Sequence, residues 1–86
     1  MNRYNKLKLQ ALAAFARANG EWIKPSIVGE RLNFLPRRSA WTYFKRLWRF
    51  GLLERRYLSK GTLEYRISGE GEARLRWLRF KAGLDD

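Results

Sequence analysis

The stretch from Pro36 to Phe50 constrains this chain more than any other part of it. At 100° per residue, Ala40, Tyr43, Phe44, Leu47 and Phe50 fall on one side of a helix. Arg38, Thr42, Lys45 and Arg49 fall on the other, with Trp41 and Arg46 at the borders. A helix divided in this way can be covered on its aromatic side only, so it must lie at the outside of the fold with its cations in solvent. No acidic residue occurs between Arg31 and Glu54. A plain solvated helix, the alternative, carries acids for pairing at i,i+4. Their absence points to a polyanion as the partner of this face.

Punctuation divides the remainder. Apolar residues recur at helical spacing from Lys6 to Asn19, where Asn19-Gly20 supplies a stop. Leu7, Ala11, Ala14, Phe15 and Ala18 lie on one side of this first helix and Leu9, Leu12 and Ala16 on another, a broad apolar surface. Glu21 to Lys24 is long enough for a minimal strand. Pro25-Ser26 opens a second helix, with Ile27, Val28 and Leu32 expected in the core. Asn33-Phe34-Leu35-Pro36 makes a tight turn, since Pro36 cannot continue one helix but suits the first turn of the next. Gly51 ends the third helix.

Leu52 to Ile67 reads as a hairpin. A three-residue loop, Ser59-Lys60-Gly61 with Gly61 left-handed, sets Leu58 opposite Thr62, Tyr57 opposite Leu63 and Leu53 opposite Ile67. That register gathers Leu53, Tyr57, Leu63, Tyr65 and Ile67 on one face, whereas a four-residue loop would set Glu54 against Ile67. Ser68 is the expected N-cap of a last helix running to about Leu84. This helix has two opposed apolar stripes, Leu75, Leu78 and Ala82 against Ala73, Trp77, Phe80 and Leu84. One stripe can meet the chain's own core. The other calls for a homodimer through Trp77, Phe80 and Leu84, unless the broad first helix covers both.

The chain has 86 residues with neither cysteine nor histidine, which removes disulfides, thiolate chemistry, the usual general base and the commonest metal ligands. Its few acids are scattered, and it has no glycine-rich phosphate loop. A binding role rather than an enzymatic one is therefore expected, with no metal and no cofactor. The formal net charge of +11 again selects a polyanion, nucleic acid first. No run approaches the ~20 apolar residues of a membrane span, so no membrane partner is expected. A cytoplasmic location is expected, nucleoid-associated in a prokaryote. No linker or repeat divides residues 1–86, which reads as one domain.

The order helix, short strand, helix, turn, helix, hairpin, helix resembles the winged helix-turn-helix transcriptional regulators, broadly the MarR-, PadR- and ArsR-like group. Ile27-Val28-Gly29-Glu30-Arg31-Leu32 is similar to the first helix of their helix-turn-helix. Ser39 to Phe50, followed by Gly51-Leu52-Leu53-Glu54-Arg55-Arg56, is similar to a recognition helix running into a strand of the form G-L-[LIV]-x-R. Tyr65-Arg66-Ile67-Ser68-Gly69-Glu70-Gly71 is similar to the step from wing to final helix, Y-x-[LI]-[ST]-x-x-G. The resemblance implies an α+β winged helix-turn-helix domain, a three-helix core with a two-stranded β-hairpin wing and a C-terminal helix. It also implies double-stranded DNA as the partner and transcriptional regulation as the role.

The physics of the third helix points the same way, because the major groove admits one α-helix. Arg38, Ser39, Thr42, Lys45 and Arg46 are the expected groove or adjoining phosphate contacts, and Arg49 a phosphate contact. Amides near Arg37 and Arg38, at the helix start, favour phosphate oxygens. Lys60 at the hairpin tip, with Arg56 and Arg66 on the non-core face, would meet phosphates beside the minor groove, although Lys60-Gly61 is also good turn chemistry. Trp41 and Trp48 are expected to pack rather than to stack on bases. Two other roles fit the same features: an RNA-binding component of a ribonucleoprotein, and a protein-interaction module. A nonspecific architectural role on DNA differs from regulation only in specificity.

Overall fold

The computed structural model describes residues 2–33, 37–58 and 61–83, and at Arg37 and Arg38 it describes the backbone alone. The elements are α1 (Arg3–Ala16), α2 (Pro25–Arg31), α3 (Arg37–Arg49), β1 (Leu53–Tyr57), β2 (Leu63–Ile67) and α4 (Gly69–Lys81). Among the described residues the architecture is α+β, four helices and a two-stranded antiparallel sheet.

Caps rather than apolar periodicity set the helix ends. The Asn2 side chain accepts from the Asn5 amide at 2.8 Å, so α1 begins at Arg3 and not at Lys6 as its apolar pattern suggests. It stops at Ala16, before the expected Asn19, and Asn19 (φ +52°) and Gly20 (φ +83°) then reverse the chain. Pro25 occupies the first turn of α2, where a missing N–H is harmless. Gly51 (φ +80°) closes α3: the Leu52 amide donates to the Leu47 carbonyl at 3.0 Å and the Gly51 amide to Trp48 at 2.9 Å. This is a Schellman motif, with buried Leu47 and Leu52 as its apolar pair. Phe34, Leu35 and Pro36 of the expected turn lie outside the described residues.

The hairpin register is the expected one, Leu53 opposite Ile67 and Tyr57 opposite Leu63. The Leu58 amide donates to the Thr62 carbonyl at 2.7 Å and Gly61 has φ +76°, as a three-residue loop requires. Ser59 and Lys60 lie outside the described residues. The expected strand at Glu21–Lys24 is a single bridge, Ile23 to Tyr65, with reciprocal hydrogen bonds of 2.8 and 2.9 Å. Ser68 caps α4 by accepting from the Gly71 amide at 2.9 Å. The helix ends at Lys81, short of Leu84, which itself lies outside the described residues.

Phe15, Phe44 and Tyr65 form the centre, with ring centroids 5.2 to 6.5 Å apart in edge-on contacts that tie α1, α3 and β2 together. Ala11, Leu12 and Ala14 of α1 and Leu75 and Leu78 of α4 extend this core. α2 reaches α3 closely because Gly29 faces Ala40: a Cβ on Gly29 would stand 3.2 Å from the alanine methyl.

Three residues expected inside are outside. Ile27 is exposed because Val28 takes the inward side of the short α2, and Ile27 lies 100° away from it. Phe50 has the right angular phase but follows the last turn of α3, where no neighbour covers it. Tyr57 is on the core face of its strand but lies past the end of the core, 63% exposed. No helix among the described residues is long and apolar enough to cross a membrane.

Candidate nucleic-acid interface

α3 is amphipathic in three dimensions as well as in sequence. Ala40, Phe44 and Leu47 are buried, while Ser39, Thr42, Lys45, Arg46 and Arg49 face solvent. Among the described residues no carboxylate pairs with Lys45, Arg46 or Arg49. Tyr43 stands between the two faces. Burial pushes its phenol up to about 12, with Arg46 pulling partly the other way. The neutral phenol therefore persists until strongly alkaline pH, and the stability tied to it is lost only as pH rises from 10 through about 12. The side chains of Arg37 and Arg38, and Lys60, lie outside the described residues.

The hairpin treats its cations differently on its two faces. On the outer face Arg56 pairs with Glu64 at 2.8 Å and Arg66 with Glu54 at 3.0 Å. Both guanidinium groups also lie over the Trp22 ring, at 4.6 and 4.4 Å from its centroid. Two cations and two carboxylates cancel there, so the structure gives Arg56 and Arg66 partners within the hairpin rather than leaving them as open charges.

The inner face holds a cation that sequence reasoning did not single out. Arg55 stacks 3.4 Å from the Trp48 ring centroid and 5.2 Å from that of Tyr57. Burial pushes the Tyr65 phenol up, and the positive charge of Arg55 partly offsets that shift. Trp48 is thus half-buried beneath Arg55, as packing predicts, but Trp41 is 58% exposed and packs on no core. Between α3 and the hairpin runs a groove of about 250 Å³. Trp41 and Lys45 line it from the helix, and Arg55, Tyr57 and Leu63 from the hairpin.

A second, larger groove of about 570 Å³ lies where α3 ends against α4. Phe50, Leu52, Glu70, Arg74 and Trp77 line it. Beside it the outer stripe of α4 is open, with Trp77 47% and Phe80 69% exposed. α1 covers the stripe of Leu75 and Leu78 and leaves this one bare. Compared with known proteins, the chain matches no family model, no curated protein and no solved structure.

Proposed function

We propose that this chain is a winged helix-turn-helix protein that binds double-stranded DNA and regulates transcription, with α3 in the major groove and the hairpin as wing. One observation carries the reading: α3 buries its aromatic side and offers Lys45, Arg46 and Arg49 to solvent with no described carboxylate against them. A B-DNA major groove about 12 Å wide accepts one helix on such terms. Thr42, Lys45 and Arg46, mid-helix, reach base edges or the adjoining phosphates. Ser39 and Arg49 flank them and hold the backbone, as do Arg37 and Arg38 at the helix start and Lys60 at the wing tip.

Titration of a mixed-sequence duplex between 50 and 200 mM salt tests the reading. Six cations each neutralising a phosphate give a slope of log K against log salt of about −5 per chain. Binding that ignores salt, or none at low salt, overturns it. Structured RNA as competitor decides between the two nucleic acids, and selection from random duplexes measures the specificity that regulation requires.

The protein acts as a homodimer through α4. Besides its bare Trp77 and Phe80, this helix carries Glu70 and Glu72 in its first turn and Arg79 and Lys81 in its last. Two antiparallel copies therefore bring Ala73 of one against Phe80 of the other and set the acidic first turn of one beside the basic last turn of the other. A two-fold interface needs self-complementarity of this kind. Such a dimer would carry two α3 helices to half-sites about 34 Å apart. Sedimentation should find a species of twice the 10.3 kDa chain, and Trp77→Glu should convert it to monomer. A wild-type protein that stays monomeric at high concentration counts against the dimer.

A further inference from the structure

We infer that the groove between α3 and the hairpin receives an unpaired nucleobase, so that the protein favours DNA in which such a base adjoins a duplex. This rests on the duplex reading above and adds a second mode of contact to it. Trp41 and Tyr57, 58% and 63% exposed, stand on the helix and hairpin sides of one groove. An exposed ring offers a face on which a base can stack, and every base has a π-face to offer in return.

The groove's chemistry suits a nucleotide. Lys45 and Arg55 line it and no acid does. Arg55 is already held in place by the Trp48 and Tyr57 rings, so its planar cation needs no ordering when a ring arrives. At about 250 Å³ the groove falls below the ~300–1,000 Å³ of ordinary small-molecule sites and suits one planar group. The larger groove at α4 sets one acid, Glu70, beside one base, Arg74, a balance that fits protein rather than nucleic acid.

Position completes the case. Lys45 belongs both to the exposed face of α3 and to the groove, so a strand whose phosphate it holds passes the groove mouth. A base turned out of that strand enters beside Trp41. Drawing a paired base from its stack costs more than one new stack returns, whereas a bulged or single-stranded base carries no such penalty. The groove therefore selects bases that are already unpaired.

The test compares a perfect duplex, the same duplex with one bulged 2-aminopurine, a single strand, and a bulged RNA duplex. Wild-type protein should bind the bulged DNA about tenfold more tightly than the perfect duplex, within the range for one stacked base. It should also quench the 2-aminopurine. Trp41→Ala should erase the preference and the quenching but keep perfect-duplex affinity, and Trp41→Phe should retain most of both. Circular dichroism confirms that each variant folds. Equal affinity for bulged and perfect DNA, a preference that survives Trp41→Ala, or tighter binding to the RNA overturns the inference. Binding to perfect duplex without the preference sinks the inference alone. Quenching in the single strand with no duplex binding sinks the duplex reading and leaves the groove as a base receptor.

Discussion

Gly71→Ala is expected to destabilise this protein by about 3 kcal/mol or more, at the upper end of what overpacking does. A Cβ at Gly71 would overlap the Leu52 carbonyl oxygen and stand 2.8 Å from Cγ1 of Ile67. The first obstacle is backbone, which cannot rotate aside as a flexible side chain does. It is also fixed by hydrogen bonds, because the Ser68 amide donates to that same Leu52 carbonyl at 3.1 Å. The Ser68 hydroxyl donates to the Gly51 carbonyl while accepting from the Gly71 amide. The exit of α3 and the entry of α4 thus form one corner, and the corner sets where α3 points. With roughly 4–8 °C lost per kcal/mol in a domain of this size, thermal denaturation should shift downward by about 12 °C or more. Gly69→Ala is the matched control. A Cβ there meets nothing within 4 Å, and alanine is the better helix former, so its melting temperature should hold or rise. A Gly71→Ala protein that melts with the wild type would mean the corner is looser than its contacts imply.

That corner also explains why the sequence is readable where it is. The motif ending α3 and the motif opening α4 are distant along the chain, yet Gly51, Leu52, Ser68 and Gly71 touch. Each is constrained locally, by a left-handed turn, a cap or a close approach, and local constraints leave marks in sequence. The hairpin was legible for the same reason, since a three-residue loop sets Leu53 opposite Ile67 and a four-residue loop does not. Periodicity, by contrast, gives an angle about an axis and no measure of how far the core extends along it. Phe50 and Tyr57 have the right angle and lie past the end of the cover, which is why both are exposed.

The hairpin cations show a different gap. Counting charge by face made Arg56 and Arg66 phosphate contacts, but the register itself sets Arg56 opposite Glu64 and Arg66 opposite Glu54. Cross-strand opposites pair. The signal was present and the pairing follows from it. Arg55 was legible in the same way, as the one cation whose strand parity puts it on an otherwise apolar face, where an aromatic ring is the partner available to it. What no pattern could supply is the juxtaposition of Trp41 and Tyr57 across a groove, because that depends on how the hairpin packs against α3.

Reversing three cations of α3 together, Lys45→Glu, Arg46→Glu and Arg49→Glu, should lower duplex affinity roughly a thousandfold while the protein stays folded. Each side chain is exposed and pairs with no described carboxylate, so the substitutions break no described ion pair, and surface changes of this kind stay within about 0.5 kcal/mol each. Base-edge contacts contribute ~1–3 kcal/mol apiece, and a glutamate placed against a phosphate adds repulsion to the loss. The salt slope should fall by about three as three phosphate contacts disappear. Loss of bulk charge is a competing explanation, because three reversals remove six of the eleven net positive charges. Arg3→Glu, Lys6→Glu and Arg17→Glu remove the same charge from exposed positions on and just after α1. Long-range steering is screened beyond a Debye length of about 10 Å at 0.1 M salt, so that variant should lose affinity by no more than about tenfold. If the two triple variants weaken binding alike, DNA is attracted to the chain's total charge and α3 is not its interface. If only the α3 variant fails, the acid-free face of that helix is where the polyanion lies.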